Sequence, residues 1–174
     1  QGNPYWDCHS SGMLIPVRDV WGGLTGFQIR TNREPKYIWF SYSGQGKASA
    51  HIIPGDGIPW IIEGVLKSYV THYFLNVPCF GIPGTGTWNT IPFSCLRGGR
   101  VVVAYDNEDN PHTEKAKKML LSRLKEMGIT PIVAGWNRTL GKGIDDACLY
   151  LQQQGITPTP EMFFPGIKSG KEAI

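Results

Sequence analysis

None of the four cysteines, Cys8, Cys79, Cys95 and Cys148, belongs to a C-x-x-C pair, which excludes a zinc ribbon and a dithiol redox motif. Cys8-His9 is half of a metal pattern with no second half elsewhere. Cys79 and Cys148 lie in apolar stretches and read as small buried hydrophobes, and a reducing, cytoplasmic compartment is the expectation. No run of roughly 18 apolar residues occurs and the polar start is not a signal peptide, so no membrane partner is expected. Charge is sparse as well. Charged residues are 18% of the chain and sum to +3, too little to indicate a nucleic-acid partner by itself. That sum does not exclude one, because acidic metal ligands offset basic contacts in the total. The start at Gln1, without methionine, is what a piece of a longer protein would show.

Glycine and proline, by contrast, are plentiful: 22 and 13 in 174 residues. They point to short elements joined by tight turns rather than to a long helical bundle. A hydrophobic share of 41% supplies a core for one ordinary domain, with room for an appendage. Residues 13–17, 26–30 and 37–40 are apolar, alternating or aromatic-rich and read as strands of an antiparallel meander, with residues 43–47 as a loop. From about residue 57 strands alternate with helices, the pattern of a parallel sheet. Strands are predicted at 59–62, 77–81, 100–105 and 129–134, and helices at 65–75, 110–128 and 144–153. Asn110 suits an N-cap with Pro111 in the first turn, and Gly128 suits the helix end. The chain thus divides into a β-rich subdomain (1–56), an α/β domain with a four-stranded parallel sheet flanked by helices (57–155), and a proline-rich tail or strap (156–174).

Ligands of open parallel sheets bind at the carboxyl ends of the strands. Glu63 ends the first of these strands, Asp106 ends the third with Glu108 two residues on, and Asp145 opens the last helix after the fourth. Gathered carboxylates repel one another and raise each other's pKa, a conflict that a bound cation removes. Oxygen-only ligands with no histidine or thiol nearby favour Mg²⁺ (or Mn²⁺) over zinc. Such an ion can position a triphosphate or phosphodiester and stabilise developing negative charge, so phosphoryl transfer on nucleic acid is the expected chemistry. Glu63, Asp106 and Glu108 are the candidate catalytic groups, and these three with Asp145 are the candidate metal ligands. Glu63, placed on the far side of the crevice from the Asp106 strand, is the candidate general base or acid. Taken singly, an acid after a strand is usually a helix cap or a solvated loop residue, and Asp145 would serve as the cap of its helix.

In this order and strand context, Ile61-Ile62-Glu63-Gly64, Tyr105-Asp106-Asn107-Glu108 and Gly141-Lys142-Gly143-Ile144-Asp145-Asp146 resemble the motifs of a TOPRIM domain. That is the metal-dependent fold shared by bacterial-type primases, topoisomerases and some nucleases. The resemblance spans roughly residues 58–150. Residues 12–19 (with Pro16-Val17-Arg18-Asp19), Gly26-Phe27-Gln28-Ile29-Arg30 and Lys36-Tyr37 resemble the basic subdomain of bacterial DnaG-type primases. The set is most similar to divergent plasmid and phage modules that share Glu-Gly-x-x-Lys and Gly-x-Asp-Asp. The resemblance implies that Arg30 and Lys36 meet template or nucleotide phosphates; Arg18, Lys67, one helical turn from Glu63, and Lys142 are further candidates for nucleic-acid or nucleotide contact. Trp39, Phe40 and Tyr42 are either base-stacking residues or ordinary β core. The chain departs from the pattern at Lys67, where primases carry a further acid, and at Glu108, where they carry Asp. The Gly81–Thr87 stretch is not a P-loop, since no Gly-Lys-Ser/Thr follows. It is either a phosphate-facing turn or a plain one.

The implied activity is that of a primase-type RNA polymerase core, using nucleoside triphosphates on a single-stranded DNA template in replication. A replicative helicase would be met only through parts outside this chain. The alternatives are a TOPRIM-type nuclease and a catalytically degenerate module that binds single-stranded nucleic acid or nucleotides.

Overall fold

Alternation at the start of the chain becomes an antiparallel sheet of three strands, β1 (Gly12–Arg18), β2 (Leu24–Thr31) and β3 (Tyr37–Phe40), in the order β1-β2-β3. The computed structural model describes residues 11–40, 48–96 and 98–164. Cys8-His9, Tyr42 and the loop expected at 43–47 lie outside the described residues. The Asp19 carboxylate accepts from the backbone N–H groups of Trp21 (2.9 Å) and Gly23 (2.8 Å), which fixes the β1–β2 turn.

The second sheet has five strands: β4 (His51–Ile53), β5 (Trp60–Glu63), β6 (Cys79–Ile82), β7 (Arg100–Ala104) and β8 (Thr130–Val133). Their order is β4-β6-β5-β7-β8, parallel except for β4, which pairs antiparallel with β6. The four predicted parallel strands are present, and β4 is an addition. It comes from the stretch read as part of the β-rich subdomain, because three residues are too few to carry an alternation signal.

Among the described residues three α-helices cover the sheet: α1 (Val65–Leu75), α2 (Pro111–Glu126) and α3 (Ile144–Gln153). Successive strand residues point to opposite faces. Ile61, Val101 and Val103 therefore pack with Leu120 and Leu124 of α2, while Ile62, Val102 and Ala104 pack with Leu75 of α1 and Ile144 and Cys148 of α3. Burial on both faces explains the unbroken apolar run of β7. Asn110 caps α2 by accepting from the His112 N–H (2.9 Å), with Pro111 at the first position, as predicted. Of the stretch expected to be a tail or strap, residues 156–164 are described, and Phe163 there is buried edge-on against Trp60, with ring centroids 6.4 Å apart.

The small sheet sits on α1. Ile15 and Val17 pack with Val65, and the Tyr69 hydroxyl donates to the Pro16 carbonyl at 3.0 Å. His51 of β4 stacks on Tyr69 (4.3 Å) and accepts from the Arg18 N–H (3.0 Å). Burial, then the Arg18 charge, pushes its imidazole down to about 4, so it is neutral at physiological pH. Among the described residues no helix is long and apolar enough to cross a membrane.

Candidate functional site

The chain runs from β5 through α1 to β6 on one side, then returns to place β7 on the other side of β5. Reversal of this kind leaves a crevice between the carboxyl ends of the two strands. Glu63 ends β5, and Asp106 follows β7 by two residues. The two acids are therefore neighbours rather than facing each other across the crevice. The Asp106 N–H donates to Glu63 Oε2 at 3.5 Å. Gly64, with φ 112°, lets the backbone leave β5 and enter α1 at once, in a conformation that L side chains resist. Gly81 lets α1 press on β6, since a Cβ there would lie 2.3 Å from Ser68 Oγ.

Glu63 is half-buried, and its Oε1 accepts from the Thr85 hydroxyl. Burial raises its carboxyl above the ordinary value, the Thr85 bond opposes that, and the neighbouring Asp106 charge adds to it. Thr85 was not singled out in the sequence. It brings the Gly81–Thr87 stretch to the site by a side-chain hydroxyl, and the Tyr105 hydroxyl pins it by donating to its carbonyl at 3.0 Å.

Two ammonium groups sit among the acids. Lys67, in the first turn of α1, is ion-paired with Asp106 Oδ1, and Asp106 is only 6% exposed. Lys142 lies 3.3 Å from Asp106 Oδ2 and 2.7 Å from Glu108 Oε2. Glu108 also accepts from the Thr113 hydroxyl at 3.0 Å, so both its oxygens are engaged. Lys142, with Thr113 and Asn110, holds its carboxyl below the usual range. Glu108 thus ties α2 to the rim.

Asp145 does not cap α3. That duty falls to Asp146, which accepts from the Gly143 N–H at 3.1 Å. Asp145 Oδ1 is instead buried with no hydrogen-bond partner, and burial raises its carboxyl while the Lys67 charge lowers it. Asp145 and Lys67 meet at Gly143, where a Cβ would lie 2.2 Å from Asp145 Oδ1 and 3.2 Å from Lys67 Nζ. Asp106 and Asp145 therefore flank the Lys67 ammonium, and Glu63 adjoins Asp106 through its backbone N–H. As they stand, no three acidic, histidine or cysteine groups among the described residues come close enough to hold an ion. Their chemistry nevertheless fits a hard divalent cation: the donors are oxygens, and one buried acceptor is unsatisfied.

The structure brings Arg30 and Lys36 together, and adds Arg33. All three line an open groove of about 710 Å³ with Met13 and Glu34. Arg18 is not part of it. Arg30 pairs with Met13, and five residues at about 3.4 Å each place Arg18 about 17 Å along β1 from there. The Arg18 guanidinium donates instead to the Gly22 carbonyl of its own turn at 2.9 Å. Trp39 packs with Ile15, Val17 and Val65, so the core reading holds for it. Gln28, two residues before Arg30 on the same face of β2, donates to the Pro83 carbonyl at 3.3 Å. The groove-bearing sheet is thereby joined to the loop that holds Glu63. A smaller cleft of about 280 Å³ opens beside Asp106, between Tyr105, Lys117 and Trp136.

A scan against protein-family models finds no match for this chain, and neither does a search of the curated proteins.

Proposed function

We propose that the chain is the catalytic core of a primase-type polymerase, joining nucleotides on single-stranded DNA by metal-dependent nucleotidyl transfer. The observation that carries this reading is the Glu63–Asp106 pair at the β5/β7 switch point, with Asp145 beside it and two lysines in the same crevice. Glu63, Asp106 and Asp145 would hold Mg²⁺ or Mn²⁺, which supplies charge neutralisation for the phosphoryl group. Glu63, with its Oε1 held by the Thr85 hydroxyl, is the candidate proton acceptor for the attacking hydroxyl. Lys142, half exposed between Asp106 and Glu108, is placed to meet nucleotide phosphates. Arg30, Arg33 and Lys36 form the track for the template backbone, and exposed Tyr37, opposite Arg30 on β3, offers a ring for stacking. The cleft beside Asp106 has room for a nucleobase. The TOPRIM likeness, a cytoplasmic site of action and a helicase partner met through other segments are parts of this same proposal.

A second reading, a nucleotide- or DNA-binding module without chemistry, draws on the Lys67–Asp106 ion pair, which puts an ammonium where catalysis needs a metal. A single-stranded template, labelled nucleoside triphosphates and Mg²⁺ or Mn²⁺ separate these. We expect short products with the wild type and none with Glu63→Gln or Asp106→Asn. Template shortening would make the protein a nuclease acting through the same acids. Binding with no product under either metal would establish the second reading.

A further inference from the structure

We propose that Lys67 is the resident cation of the carboxylate rim, and that it leaves the rim, turning outward toward the incoming phosphate, when a divalent ion enters. The inference rests on the reading of Glu63, Asp106 and Asp145 as an ion site and names how that site is regulated.

Four features carry it. The Lys67 ammonium is bonded to Asp106 Oδ1 and reaches the Gly143 position that Asp145 also lines, so it stands between Asp106 and Asp145, with Glu63 joined to the Asp106 backbone next to it. Without it, Asp106, whose side chain is only 8% exposed, would keep Lys142 alone, and that lysine lies closer to Glu108 (2.7 Å) than to Asp106 (3.3 Å). A buried carboxylate with too little positive charge around it is costly, so the rim requires a cation in every state. The ammonium also leaves the rim incompletely satisfied, since Asp145 Oδ1 is buried with no hydrogen-bond partner. A metal ion takes lone pairs without the directional demand of three N–H donors and would complete that atom.

The fourth feature is the path. Lys67 runs between two glycines: a Cβ on Gly64 would lie 3.3 Å from its Cγ, and one on Gly143 would lie 3.2 Å from its Nζ. The stem therefore moves along a channel free of side chains on those two sides, and its side chain is already 24% exposed. Two cations cannot share the same oxygens at contact distance, so ammonium and metal exclude each other. Ion affinity is then reduced by the fraction of molecules in which Lys67 holds the rim. A phosphate that binds the outward Lys67 favours the state that accepts the ion, so nucleotide and metal bind cooperatively.

The test is Mn²⁺ binding, followed by the loss of the free-ion electron paramagnetic resonance signal, for wild type, Lys67→Met and Asp106→Asn. We expect Lys67→Met to bind Mn²⁺ at least tenfold more tightly than wild type, and Asp106→Asn to lose the site. A second readout, independent of how Lys67→Met folds, comes from the wild type: amine acetylation mapped by mass spectrometry. Lys67 should be protected in chelator and become several-fold more reactive at saturating Mg²⁺, with exposed Lys115 and Lys118 unchanged. Equal or weaker Mn²⁺ binding by folded Lys67→Met overturns the proposal, as does Lys67 reactivity that is unaltered or lowered by metal. If wild type binds the ion through Asp106 under either result, the ion site itself stands. If no form binds an ion, Lys67→Met included, the ion site and this inference fall together.

Discussion

Lys67→Met in chelator should lower global stability by about 2–3 kcal/mol, a value that follows from the surroundings of Asp106. Removing one partner of a buried ion pair costs roughly 3–5 kcal/mol, because the other charge is left uncompensated. Two features reduce that figure here. The Lys67 side chain is 24% exposed, so part of its attraction is already screened, and Lys142 remains 3.3 Å from Asp106 Oδ2. Methionine keeps the aliphatic volume of the stem, so the loss is electrostatic rather than a cavity. In a chain of this size each kcal/mol moves the midpoint by about 2–4 °C, which predicts a fall of roughly 5–10 °C. Thermal and urea unfolding in EDTA measure it. The double variant with Asp106→Asn should lose about 1–2 kcal/mol less than the two single losses together, since the two side chains interact directly. A Lys67→Met protein within about 0.5 kcal/mol of wild type in EDTA, with additive effects in the double variant, would refute the reasoning that Asp106 depends on this ammonium.

Burial raises the Glu63 carboxyl, so the folded state holds its proton more firmly than the unfolded chain does. Stability from that group is present below the unfolded value of about 4.3 and is lost as pH rises through the folded one. Glu63→Gln should therefore gain on wild type between pH 4 and pH 7 in urea titrations; a difference that is flat with pH contradicts this. Gly81→Ala should cost about 2–3 kcal/mol in the same assay, because the new methyl would stand 2.3 Å from Ser68 Oγ and 3.1 Å from the Gly64 carbonyl. A neutral result would mean that α1 does not need its close approach to β6. Arg30→Ala and Lys36→Ala should each weaken single-stranded DNA binding and flatten its dependence on log salt by about one unit. Unchanged slopes would remove the groove from the interface.

Much of the larger sheet was legible because burial on both faces leaves continuous apolar runs, as in Val101-Val102-Val103, and the acids at strand ends follow from parallel topology. The three-residue β4 was not, since its pairing with β6 depends on a partner nearly thirty residues away and on no local period. Glu63, Asp106 and Asp145 were legible at the rim for the same topological reason. The cation beside Asp106 was not: a lysine in the first turn of a helix reads as solvated, and only the tertiary approach of α3 puts Asp145 and Gly143 beside it. The hold of Lys142 and Thr113 on Glu108 also depends on tertiary approach. Thr85 carried a weak signal, a hydroxyl between two glycines after a buried strand. Arg33 carried one in its proximity to Arg30 and Lys36.

The most direct measurement is anomalous X-ray diffraction from crystals of wild type and Lys67→Met equilibrated with Mn²⁺ and a nucleoside triphosphate. The account predicts a single strong peak at the β5/β7 rim, about 2.0–2.2 Å from oxygens of Glu63 and Asp106 and within reach of Asp145, with Lys67 of the wild type turned away from Asp106. A rim without a peak in both proteins, or an ion bound only at other residues, would contradict it.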